Sequence, residues 1–496
     1  MLLRYKSHSY QYERNLKSHK EIIDLCRLSI SNAIPEKEAS IERHTMPEII
    51  ETLEELSLAL ELDNLDRTSE ELLKLNSLIE KNTAYNSVVM NKTLELLDKC
   101  MRKDSMLNQS AKKYSNNFAL FNKNILKNVV DIISCFVVTD LKAKVAIADS
   151  QLFSLLLEKL REKVNIDVLH YSIWLLSYFI DEKLDESRVT DIYCYVSIAQ
   201  EWLIELHKAV IYHEGIVRSI SVTSGFRIVD SFLNPESRVN DILNYIEAVR
   251  TNLNLILISL SRFMEFSEHP EHAFDNKAFT DALVDFLFVF NDEPDYLKSF
   301  ITFLAISSSR IEDETILEYL LFDKRLFQLL MSLLTAPSTS SYIKVKSLQI
   351  LTNCMSSSER TIKAFLSDAT GIKCLEEFIF GSRVDGLAEE AIWCLGAVVN
   401  INSLDSVQAI KEMKVDILVV EALIKLSNST EAVYIMVLLE ALSTLLGLDA
   451  SCDGSLNEYI QNGKAIEVLI ELQMHKRDKI YQLVIGMLEE HFSELI

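Results

Sequence analysis

The chain has 496 residues, 49% of them apolar, with only 10 Gly and 6 Pro along its whole length. That is ample material for a core but far too few turn residues for a β-sandwich or for a glycine-rich phosphate loop, so the composition points to an all-α fold. Fifty basic against 73 acidic side chains leave a net charge of −23, which argues against a counterion-displacing nucleic-acid groove and favours a basic partner.

The first 45 residues stand apart from the rest. Residues 1–28 carry Arg4, Lys6, Arg14, Lys17, Lys20 and Arg27 against Glu13, Glu21 and Asp24, a local charge of +3 on a chain whose remainder is −26. Pro35 and Pro47 bracket a polar link, so residues 1–45 are predicted to be a mobile basic arm and residues 46–496 the folded body. No apolar leader and no uncharged run of membrane-spanning length occurs in the sequence, and neither secretion nor membrane insertion is expected. The eight cysteines show no C-x-x-C spacing and read as reduced core residues.

From about residue 48 the pattern is one amphipathic helix after another, as in Ile49-Ile50-Leu53-Leu56 and Leu72-Leu73-Leu75-Leu78-Ile79. Further on, Ser172-Ile173-Trp174-Leu175-Leu176 and Ala391-Ile392-Trp393-Cys394-Leu395 repeat one frame 219 residues apart, which is five steps of about 44. Steps of 44 to 48 find related helices at Val130, Leu255, Ile301 and Gln349. Several of these helices are followed by a polar turn and a Leu-rich helix, such as Leu329-Leu330-Met331 or Leu423-Ile424-Lys425-Leu426. A period near 44 belongs to armadillo and HEAT arrays of two- or three-helix units. The predicted fold is therefore a right-handed armadillo-type superhelical solenoid of about nine to ten helical repeats, each unit burying a face that it cannot bury alone.

Three places make the chain resemble importin alpha (karyopherin alpha), the armadillo-repeat nuclear import adaptor. They are the two Trp helices, the C-terminal run from Leu439-Glu440-Ala441-Leu442 through Asn457-Glu458-Tyr459-Ile460 to Glu489-Glu490-His491-Phe492, and the arm segment Glu13-Arg14-Asn15-Leu16-Lys17-Ser18-His19-Lys20. The resemblance implies an adaptor, working in cytoplasm and nucleus, that holds basic localisation signals of cargo proteins in a concave groove. Its arm, through Arg14, Lys17, Lys20 and Arg27, would bind importin beta, and its C-terminal repeats would meet an export receptor. In such a groove indole faces pack the stems and heads of Lys/Arg. An Asn one turn later bonds the peptide backbone, and carboxylates receive the cations. On this chain the Trp position holds Val130, Trp174, Leu255, Ile301, Gln349 and Trp393, and the Asn position holds Ser134, Tyr178, Ser259, Ala305, Asn353 and Ala397. The expected peptide-binding residues are Trp174, Tyr178, Asp181, Glu182, Gln349, Asn353 and Trp393, with Trp202 left to packing.

No nucleophile elbow, Walker loop or zincin motif occurs in the sequence, and His269 and His272 lack a third ligand nearby. Neither catalysis, a metal nor a cofactor is therefore expected. The alternative reading is an armadillo-like scaffold or chaperone that binds another basic protein without transport.

Overall fold

The computed structural model describes residues 46–62, 64–80, 92–100, 270–274, 276–289, 294–381, 385–399, 404–427, 432–449 and 454–493, with scattered positions between 102 and 265. All regular structure among them is helical, with no strand. Two compact units divide the chain inside one helix, between Phe300 and Ile301.

The unit that ends at Phe300 contains a hairpin of α1 (Met46–Glu61) and α2 (Leu65–Glu80) and, later, α3 (Lys277–Val289). Ile49, Leu53, Leu56 and Leu60 of α1 recur at helical spacing and are buried, as are Leu72, Leu75, Leu78 and Ile79 of α2. Arg67 ties α2 back to Glu55 of α1.

The unit from Ile301 onward is a regular array. After α4 (Pro294–Arg310) it runs α5 (Glu314–Glu318, continued as a π turn over Tyr319–Asp323), α6 (Leu326–Thr335) and α7 (Ser341–Ser357). The same succession follows as α8 (Glu359–Leu366), α9 (Ala369–Gly381) and α10 (Asp385–Val399). It returns as α11 (Leu404–Glu412), α12 (Val415–Leu426) and α13 (Ala432–Asp449), and once more as α14 (Ser455–Asn462), α15 (Lys464–Leu472) and α16 (Asp478–His491). Each unit is thus a short first helix, a second and a long third, which is the armadillo form of the period. The sequence left open whether the unit holds two helices or three, and the structure decides for three.

Two ladders stack the units. Third helices pack on third helices (α7 on α10, α10 on α13, α13 on α16), and second helices on second helices (α6 on α9, α9 on α12, α12 on α15). The third helices begin at residues 294, 341, 385, 432 and 478, so the step is 44 to 47. Hydrogen bonds between neighbouring helices span the same kind of distance in sequence. Tyr342 meets Thr302 across 40 residues, Gln349 meets Glu390 across 41, Asn353 meets Ser308 across 45, and Lys425 meets the carbonyl of Ile379 across 46.

Local chemistry sets the joints. Ser358 ends α7 in extended conformation (φ −130, ψ 120) and caps α8 by accepting from the Thr361 amide, so a single residue turns the chain from third to first helix. Arg325 and Lys414 each precede a second helix in the left-handed region (φ 59 and 57). They lie 89 residues apart, two repeats, at a corner where glycine would carry less strain. Close stacking of α10 on α13 requires small residues: a Cβ added at Gly396 would lie 2.7 Å from Val437 Cγ1.

Among the described helices, α13 has the length and apolarity to cross a membrane. More than half of it is buried inside the protein, against α10, α12 and α16, and this packing accounts for its composition. Cys100, Cys354, Cys374 and Cys394 are buried, and burial pushes the Cys354 and Cys394 thiols up to about 12. That is the behaviour of inert core cysteines.

Candidate functional site: the face of the third helices

A long third helix buried on the sides that meet its neighbours keeps one narrow stripe toward solvent. On α7 this stripe runs through Tyr342, Val345, Gln349 and Asn353, all half-buried at spacings of three and four. On α10 it runs through Glu389 and Trp393, and on α13 through Val433, Met436, Glu440 and Thr444. The ninth residue of each third helix marks the rung, and in order these are Thr302, Gln349, Trp393, Glu440 and Gly486.

Gln349, Asn353 and Trp393 of the expected site are therefore brought onto one stripe of two adjoining helices. Two hydrogen bonds hold the polar pair. Gln349 Nε2 donates to Glu390 Oε1 at 2.8 Å, and Asn353 Nδ2 donates to Ser308 Oγ at 3.0 Å. In both cases the amide NH2 is engaged while the carboxamide oxygen keeps its accepting capacity. Asn353 can thus offer Oδ1 to a peptide N–H without leaving Ser308. Glu389 stands one turn before Trp393 on the same helix face, which sets a carboxylate beside an indole.

The α4 rung differs from its sequence reading. Stepping by 48 residues selected Ile301, but the helix starts are 47 apart and Thr302 stands level with Gln349. Ile301 is fully buried, and Thr302 is closed off as well, its hydroxyl within 2.8 Å of the Tyr342 hydroxyl. Val130 is likewise core, and Ala305 and Ala397 are buried small residues. Apolar residues stand at these positions because they pack. Trp174, Tyr178, Asp181 and Glu182 lie outside the described residues, as do Leu255, Ser134, Ser259, Trp202, His269 and the arm residues Arg14, Lys17, Lys20 and Arg27.

Glu440 and Lys479 were not singled out from the sequence. They meet across α13 and α16 at 3.2 Å. Burial nevertheless pushes the Glu440 carboxyl above its ordinary value and the Lys479 amine below its own. Lys479 remains 42% exposed and Glu440 only 18%, so the cost of desolvation falls mainly on the carboxylate. Glu440 is an under-compensated carboxylate on the rung next to Trp393. The signal available in sequence was the rung itself, since Glu440 lies 47 residues after Trp393.

No family model matches the chain, and no curated protein matches it. Among solved structures, a designed armadillo repeat protein in complex with the peptide (KR)4 is similar at 17% identity and a TM-score of 0.39, over 49% of this chain and 93% of that one. Two engineered proteins are similar at 21% identity and TM-score 0.40, over 50% of this chain and 91% of theirs, and at 19% identity and TM-score 0.38, over 53% and 100%.

Proposed function

We propose that the third-helix stripe binds an extended basic segment of a partner protein, and that the chain acts by this binding rather than by catalysis. The observation that carries the reading is the alignment of Asn353, Glu389, Trp393 and Glu440 on successive third helices. An amide acceptor, an indole flanked by a carboxylate and a further under-paired carboxylate suit a peptide backbone and its Lys/Arg side chains. The acidic body favours the same ligand by long-range attraction.

The finer reading, carried by the resemblance of the Trp helices, the C-terminal run and the arm, is a divergent nuclear import adaptor of the importin alpha kind. It would shuttle between cytoplasm and nucleus, take basic signals of cargo proteins on this stripe, and engage importin beta through Arg14, Lys17, Lys20 and Arg27. An export receptor would dock on the C-terminal repeats. A scaffold or chaperone for a basic protein is the second reading. It is favoured by the burial of Thr302 and Val130, which removes rungs that a long signal would use.

Capture of importin beta by the full-length chain separates the two. The adaptor reading expects capture that is lost when Lys17 and Lys20 are changed to Glu. Absence of capture by the unaltered chain contradicts the adaptor and leaves the scaffold.

A further inference from the structure

The hairpin of α1 and α2 has an outer face that its own core does not explain. Ile50 is 42% exposed, Leu58 42%, Leu62 63% and Leu73 61%. These are not frayed ends of the buried stripe. On α1 the core residues Ile49, Leu53, Leu56 and Leu60 occupy one side, while Ile50, Glu54, Leu58 and Leu62 follow one another at i, i+4 spacing on the other. The α1–α2 hairpin leaves these large aliphatic side chains in water, the mark of an interaction surface.

Charge identifies the kind of partner. Residues 46–80 contain ten carboxylates against Arg67 and Lys74 alone. Arg67 is committed to Glu55, and Lys74 lies 3.9 Å from Glu71. Glu51 and Glu54 are exposed between the aliphatic residues of α1, and Asp66 and Glu70 are exposed on α2 before Leu73. A second copy of this hairpin, an anionic lipid surface and a nucleic acid would each bring more negative charge to a surface already strongly negative. An amphipathic helix with Leu-type residues on one face and Lys/Arg beside them satisfies both features at once.

We infer that the α1–α2 hairpin is a docking surface for a basic amphipathic helix of a partner protein, separate from the third-helix stripe. The inference does not depend on what that stripe binds. Its test uses the full chain and, as probe, a synthetic Leu/Lys amphipathic peptide of about 18 residues, long enough to form a helix when bound. A scrambled peptide of the same composition serves as control. The amphipathic peptide binds the wild-type chain at least about tenfold more tightly than the scrambled one, because a scramble keeps charge but loses the apolar face. Leu58→Ser with Leu73→Ser, and separately Glu51→Lys with Glu54→Lys, each lose about tenfold or more with unchanged circular dichroism, since all four side chains are on the surface. Equal binding of the two peptides, or full affinity in the Leu58/Leu73 variant, overturns the inference. So does dimerisation of the chain alone, or binding to anionic vesicles, that the Leu58/Leu73 change abolishes.

Discussion

Asp449→Ala will lower the stability of the array by about 3–5 kcal/mol, the range for breaking a buried ion pair from one side. Asp449 is 2% exposed at the end of α13, and its two carboxylate oxygens serve different helices. Oδ1 accepts from Lys411 Nζ at 2.7 Å, on the first helix of the same unit, and Oδ2 accepts from the Asn457 amide at 3.0 Å, in the first turn of α14. Its backbone carbonyl also receives the Gly454 amide that leads into α14. One residue therefore closes one repeat and starts the next. Removing its side chain takes a carboxylate away from a mostly buried ammonium and leaves an amide in the first turn of α14 without its side-chain acceptor. A urea titration followed by circular dichroism measures the loss. The double change Lys411→Met with Asp449→Leu will recover much of it, because replacing both partners also removes the ammonium that lost its carboxylate. A double variant as unstable as Asp449→Ala alone would contradict this account of the joint.

Asn353→Ala combined with Trp393→Ala will weaken binding of a Lys/Arg-rich peptide by about 10- to 100-fold. A cation–indole contact is worth about 0.5–2 kcal/mol, and the backbone hydrogen bond to the carboxamide about 0.5–1.5 kcal/mol. Trp393 is half-buried on its rung, so truncation removes a platform that is already ordered rather than one that must be organised on binding. Asn353→Ala alone also releases Ser308, and the fold is checked by its unfolding midpoint. Titration calorimetry reads the affinities. By the importin alpha resemblance, Trp174→Ala will lose more than Trp393→Ala. Undiminished affinity in the Asn353/Trp393 variant would remove the stripe as the binding site.

How much of this was legible in the sequence varies from feature to feature, for physical reasons. The long third helices are visible because 14 to 18 residues display several turns of the 3.6 period, as in Ser341–Ser357 and Ala432–Asp449. The first helices are not. Glu359–Leu366 and Ser455–Asn462 have eight residues each, about two turns, too short to display the period clearly. That is why the repeat length alone leaves two- and three-helix units open. Spacing put Gln349 and Trp393 on one rung and the importin alpha resemblance added Asn353, yet spacing also selected Ile301. A one-residue error in a repeat whose step ranges from 44 to 47 rotates a helical position by about 100°, from solvent into the core. Glu440 and Lys479 were missed because carboxylates are common in so acidic a chain. Only burial distinguishes one that is under-paired from the solvated majority. The exposed leucines of α1 and α2 were hidden for the opposite reason, since in sequence they look like any other residues of an apolar stripe.

The central claim, that the faces of successive third helices form the binding site for a basic segment, is tested most directly by mapping where such a peptide lies. A Lys/Arg-rich peptide carrying a photoreactive side chain, cross-linked to the full chain and located by mass spectrometry, should attach to α7, α10 and α13 near Asn353, Trp393 and Glu440. Attachment confined to the short first helices, to the second-helix ladder or to the α1–α2 hairpin would contradict it.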